Sequence, residues 1–279
     1  MIIYRGFIVW GVSVVILLGS FFIFVATGWP GAEDSCVNKH PDECYCEAFS
    51  LEDVKNGAPG IRQPVNTLFN LYALVTSLLV AFFVYADRKT FGANSAPNLM
   101  RSQTWVPDLY IFAVLFLGLG SMWFHASLKA WGGLFDGLSM YVFAAFLGFY
   151  SIRRLWDIPW IFWIGYGLTI GLFTFLHTVL PSVVNIIILV TFYAVIEFIV
   201  MPIKTGKVLQ GNASARWLWG LGLSAMGLAT FFWIASQTGN FMCDPKSGFQ
   251  PHGLLWHPLA GVMAVLLYFF WRGADDRSH

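Results

Sequence analysis

Runs of about twenty apolar residues recur along the whole chain, and each is long enough to cross the ~30 Å hydrocarbon core of a bilayer. Within lipid, every backbone N–H and C=O has to find its partner inside the chain, which leaves only helices and closed barrels. These runs are too long for barrel strands, so the fold class is all-α, a polytopic membrane helical bundle. The pattern predicts eight spans, at 6–27, 64–86, 106–127, 131–151, 159–176, 179–202, 216–237 and 253–272. Charged residues make up 11% of the chain, against about 25% in soluble domains. A soluble enzyme and a disordered chain are thereby excluded. A formal net charge of +1 also leaves no basic surface for nucleic acid. Connections are short apart from 28–62, and no internal repeat is visible.

Orientation follows from the 16 Lys and Arg residues. With the N-terminus on the cytoplasmic side, eleven of them (Arg5, Arg88, Lys89, Arg101, Arg153, Arg154, Lys204, Lys207, Arg216, Arg272 and Arg277) lie inside. Five (Lys39, Lys55, Arg62, Lys129 and Lys246) lie outside. The excess in short inner segments predicts cytoplasmic N- and C-termini. The first apolar run exceeds the 7–15 residues usual for a signal peptide, which predicts an uncleaved anchor helix. Cleavage would leave seven spans in the same orientation. The Asn212-Ala-Ser sequon then falls on the inner side and should carry no glycan. Cys36, Cys44, Cys46 and Cys243 all fall outside, where disulfides persist. Four cysteines allow three pairings, and spacing does not choose among them.

An aspartate at the bilayer centre costs about 2.5–3.5 kcal/mol on insertion scales, so every ionisable group in a span needs a reason. Asp108 opens a span, where a carboxylate suits a helix N-terminus. His177 falls in a tight turn and reads as an interfacial histidine, while Glu197 reads as a partner for a lysine or part of a pathway. His125, Asp136, His252 and His257 say more. The topology brings the end of the third span and the starts of the fourth and eighth to the same outer leaflet. A single histidine in a span is usually a satisfied interhelical hydrogen bonder. Three histidines and a carboxylate at one depth point instead to a catalytic zinc site, whose bound water loses its proton near neutral pH. Ser121 lies four residues before His125 on the same helix face and could hydrogen-bond an oxyanion. Asp136 is placed to handle the proton. No Lys lies within a predicted span, which disfavours a retinal Schiff base.

The stretch Gly120-Ser-Met-Trp-Phe-His125, followed by Leu134-Phe-Asp136, resembles the paired motifs of the alkaline ceramidases, members of a superfamily of seven-span membrane hydrolases. The segment Gln250-Pro-His252-Gly-Leu-Leu-Trp256-His257 is similar to that family's closing histidine motif. Tyr45-Cys46-Glu47 and Gln63-Pro-Val-Asn66-Thr67-Leu-Phe-Asn70 resemble its N-terminal segment and first core helix. The resemblance spans roughly 44–272. It implies that His125, His252 and His257 hold Zn2+, that Ser121 stabilises an oxyanion, and that Asp136 moves the proton. It also implies cleavage of ceramide, a lipid substrate in the membrane, to sphingoid base and fatty acid, and a disulfide between Cys46 and Cys243. The chain would then divide into an anchor helix (1–30), an exoplasmic cysteine-containing segment (31–63) and a seven-helix hydrolase core (64–279). The active site would face the exoplasmic or periplasmic leaflet. Rival readings are a related hydrolase of another acylated lipid, or a lipid-binding receptor or transporter with structural zinc.

Three departures from the family pattern bear on the site. The closing histidines are five residues apart here instead of four, which leaves them ~140° apart on a regular helix. Pro258 cannot donate to the carbonyl of Leu254, so a local π-type widening is expected to bring the two rings together. Gly137 stands where the family commonly has an acidic residue. Some relatives bind Ca2+ through acidic residues of the N-terminal segment; Glu47 fits that pattern, but Gln63 replaces an acidic position.

Overall fold

The computed structural model describes residues 2–91, 96–156, 158–206 and 213–273. Among these, eight helices are long and apolar enough to cross a membrane, and the chain is an integral membrane protein of the all-α class. The sequon at Asn212 lies outside the described residues.

Helix α1 (Arg5–Thr27) runs into the long segment, which holds α2 (Ser35–Lys39), a hairpin of β1 (Glu43–Cys44) and β2 (Glu47–Ala48), and α3 (Leu51–Lys55). The bundle then continues through α4 (Pro64–Phe69), α5 (Tyr72–Thr90), α6 (Val106–Ser127), α7 (Ala130–Leu155), α8 (Pro159–Leu176) and α9 (Ser182–Val195). It closes with α10 (Met201–Thr205), α11 (Ala213–Ala235) and α12 (His257–Gly273). Helix α6 is the central element and packs against α1, α4, α5 and α7. Its apolar run has no polar face because neighbours surround it. Helix α1, by contrast, keeps most of its apolar surface outward, as expected where lipid is the solvent.

Several elements depart from the expected spans. The 64–86 span divides into α4 and α5 at Asn70, whose amide Nδ2 donates to the carbonyl of Asn66 at 2.8 Å and so competes with the backbone ladder. The 179–202 span starts at Ser182 and continues to Thr205 through a π-helical turn, Ile196–Val200. In that turn Glu197 is fully buried. Its partner is an arginine where a lysine or a pathway was expected: Arg154 Nη1 donates to Oε1 at 3.1 Å and Ser151 Oγ to Oε2 at 2.8 Å. Asp108 does more than favour a helix start. It accepts from Arg88 at 2.8 and 2.7 Å and from Arg5 at 2.7 Å, which pins α1 and α5 onto α6.

At the opposite end of the bundle, Phe21, Phe24, Trp29, Trp123 and Trp131 pack ring against ring. This cluster holds the start of the long segment against α6. Two disulfides, Cys36–Cys44 and Cys46–Cys243, fasten the rest, and the second joins the hairpin to the α11–α12 connection. The two hairpin turn residues, Tyr45 and Cys46, both adopt left-handed backbone at φ 47° and 67°. Non-glycine residues rarely do so, and the strain is compensated by what the turn delivers: Tyr45 toward the bundle and Cys46 toward Cys243.

Candidate functional site

His125 sits in the last turn of α6, and His252 and His257 bracket a π-helical turn, His252–Trp256, that opens the last span. The extra residue in that turn cancels the misalignment that five-residue spacing imposes on a regular helix. The rings of His252 and His257 lie 4.9 Å apart between centroids, and both face His125, at 5.1 and 5.5 Å. All three are buried, and one nitrogen from each falls within 4.8 Å of the others.

The surroundings fix the rings. His125 Nδ1–H donates to Gln63 Oε1 at 2.7 Å, which leaves Nε2 as the ring's lone-pair nitrogen. Asn70 Nδ2 stands 3.2 Å from His257 Nε2. Tyr45 packs on His252 and His125, with centroids 4.9 and 5.6 Å away. His252 Nδ1 is buried without a hydrogen-bond partner. A buried cluster of three imidazoles with an unpartnered ring nitrogen suits a nitrogen-binding divalent metal. The three histidines are therefore positioned to bind a metal ion.

The donors do not suit Ca2+. Both Glu47 carboxylate oxygens are engaged at the N-terminus of α4, accepting from the N–H groups of Val65 and Asn66 at 2.8 and 2.7 Å. Gln63 Nε2 donates to the carbonyls of Cys44 and Glu47, oxygens that a hard cation would have to take. Burial raises the Glu47 carboxyl, opposed by the N–H groups of Asn66 and Val65, and burial pushes the Tyr45 phenol up.

Ser121 and Asp136 come from different helices and face each other across the α6–α7 contact. Gly120 makes this approach possible. A Cβ there would lie 2.6 Å from Ser139 Cβ and 2.9 Å from the carbonyl of Phe135, so any larger residue would push α7 away. Both side chains line a cavity of about 370 Å³ together with His252 and Tyr45. The remaining walls are mainly apolar, from Ile186, Ile187 and Val190 on α9 and Met226 and Ile234 on α11, with Ser182, Thr191 and Thr230 among them. The cavity lies between α9 and α11 and is mostly hydrocarbon-like away from the histidine end.

Ser121, Asp136 and His252 thus line one cavity, and His125 and His257 pack against His252 behind its wall. Sequence reasoning quoted Tyr45, Gln63 and Asn70 within the family-like segments but gave none of them a part in the site. Apart from that resemblance, their signal was polarity within or beside an apolar run, which also describes ordinary interhelical contacts. His177, read as a plain interfacial histidine, instead donates to or accepts from Tyr141 Oη at 2.9 Å and lies against α7 one residue beyond Asp136. Burial lowers His177 and raises Asp34, and each of these two groups partly offsets the other's shift.

No curated protein matches the chain. Among protein-family models, the one described as Ceramidase matches residues 59–273, a stretch that takes in all three histidines, Ser121 and Asp136.

Proposed function

From the premise that this chain belongs to the ceramidase family, and so is a hydrolase acting on the amide bond of ceramide, we propose that it does so as a zinc-dependent enzyme within the membrane. Three buried imidazoles within reach of one ion, one of which, His252, lines a largely apolar cavity, carry this reading. His125, His252 and His257 would hold the ion. When bound, Zn2+ supplies Lewis acidity toward an amide carbonyl and toward water.

The chain's own residues account for the rest. The apolar walls of α9 and α11 bind the acyl chain and exclude bulk water, and a lipid reaches them sideways between these two helices. Asp136 takes a proton from the attacking water as its oxygen bonds to the carbonyl carbon. The same carboxyl returns that proton to the nitrogen as the C–N bond breaks, releasing fatty acid and amine. Ser121 donates to the oxygen that becomes negative in between. Asn70 and Gln63 hold two of the histidine rings in place.

The positive-inside pattern supports cytoplasmic termini, with residues 28–63 and the histidine end toward the exoplasmic or periplasmic leaflet. We divide the chain into the accessory helix 1–30, the disulfide-bearing segment 31–63 and the seven-helix core 64–279. The test is metal analysis of purified protein joined to ceramide turnover, with His125→Ala, His252→Ala and His257→Ala as variants. One zinc per chain, lost with turnover in each variant, supports the reading. Stoichiometric zinc that survives loss of all three imidazoles overturns it, and release of fatty acid only from an ester lipid would reassign the substrate.

A further inference from the structure

Beside Asp136, the face of α7 carries no side chain at two positions one turn apart, Gly133 and Gly137. The space is filled from elsewhere in the chain. A Cβ at Gly133 would lie 2.5 Å from Asp34 Oδ2, and one at Gly137 would lie 2.6 Å from both Nδ1 and Cε1 of His177. A carboxylate from the cap of α2 and an imidazole from the α8–α9 turn therefore sit directly on the helix that carries Asp136.

Their hydrogen bonds do not use all of their capacity. Asp34 Oδ1 accepts the N–H of Cys36 at 2.9 Å, the carboxylate also bonds Ser35, and Oδ2 is the oxygen turned onto Gly133. On the other side, Asn185 Nδ2 donates to Tyr141 Oη at 3.1 Å, and Tyr141 Oη is hydrogen-bonded to His177 Nδ1 at 2.9 Å. That bond leaves His177 Nε2 over, as donor in one tautomer and as acceptor in the other. A hydroxyl group both donates and accepts, so it can serve the carboxylate and either form of the ring.

Position argues the same way. Asp34 and Ser35 line a second, polar cavity of about 230 Å³ with Lys39, His40, Gln237 and Thr238. Tyr45 lines both this cavity and the apolar one, so a single ring stands between them at the histidine end. A lipid with its amide beside Asp136 and its acyl chain between α9 and α11 has its other end directed toward Asp34 and His177. We propose that Asp34 and His177 form a headgroup subsite that takes a hydroxyl of an N-acyl amino alcohol. This deepens the reading of the site as an amide hydrolase and rests on it.

Two lipids of equal chain length test the subsite: an N-acyl amino alcohol, and the same N-acyl amine without hydroxyls. Binding of each to the full chain in detergent is measured by tryptophan fluorescence, and turnover of each is followed separately. Wild-type protein is expected to favour the hydroxylated lipid about tenfold, the worth of one or two well-placed hydrogen bonds. Asp34→Asn and His177→Gln should bring the ratio of the two affinities close to one. Equal binding of the two lipids by wild-type protein overturns the subsite without any variant having to fold. Equal loss for both lipids in folded variants also overturns it, since a merely structural role would act that way. A wild-type protein that shows the preference but cleaves neither lipid supports the subsite and sinks the hydrolase reading.

Discussion

Asp136 and Ser121 meet because Gly120 lets two helices touch, and each has a role that a near-isostere can test. Asp136→Asn keeps the shape and removes the proton acceptor. Ceramide turnover should fall by about 10²–10⁴ while zinc content and thermal unfolding change little. Ser121→Ala removes one donor to the developing oxyanion and should cost roughly 10²–10³ in kcat with KM nearly unchanged. Wild-type turnover in the Asp136→Asn protein would remove that carboxylate from the chemistry. At this scale the sequence was legible for the charged residues and for the histidines that come together, because a charge in lipid always needs a reason. It was opaque for Gln63, Asn70 and Tyr45. Their polarity is unremarkable in a membrane helix or loop until the histidine they touch is known.

Among the elements, the π-helical turn His252–Trp256 decides whether His252 joins His125 and His257. Its cause is legible in the chain, since Pro258 has no N–H to offer the Leu254 carbonyl and a regular helix gains nothing there. Pro258→Ala restores the donor and favours regular winding, which swings His252 away from its partners. Zinc affinity, read by competition with a chelator, should weaken about tenfold or more at unchanged helix content by circular dichroism. Unaltered affinity would mean that the contacts of Gly253 and Tyr45, and not the proline, hold the turn open. The second π-helical turn, Ile196–Val200, has a proline at the same offset, Pro202, two residues past its end, and there Arg154 reaches the Glu197 carboxylate from α7. At the division of α4 from α5, the Asn70 side chain donates to the backbone carbonyl of Asn66.

For the molecule as a whole, the alternation of eight spans places Arg5, Arg88, Arg154 and Arg272 at one end and the histidines at the other. Single cysteines report which end is which. With the native disulfides intact, a membrane-impermeant thiol reagent added to sealed cells should label His40→Cys and Phe241→Cys. It should leave Arg101→Cys unlabelled until the membrane is opened. The reverse pattern would invert the proposed orientation and move the site to the cytoplasmic leaflet. The Cys46–Cys243 link also belongs to this scale, because it ties the start of the chain to a loop near its end, over the histidine cluster. The sequence restricted the cysteines to one side, and only the family resemblance named that pair. The other pair, Cys36–Cys44, follows from α2 folding back on the hairpin.

The chain alone determined the number of crossings, their direction relative to one another, and the depth at which each ionisable group lies. Lipid enforces these through local, one-dimensional rules of apolar length and backbone satisfaction. Only the tertiary structure decided which groups at that depth touch, because contact depends on helix rotation, on gaps left by glycines such as Gly120, Gly133 and Gly137, and on segments distant in sequence that fill them. Asp34 and His177 show the difference most clearly. In the sequence they are two ordinary polar residues 143 apart by number, and in the fold they flank the same turn of α7 as Asp136.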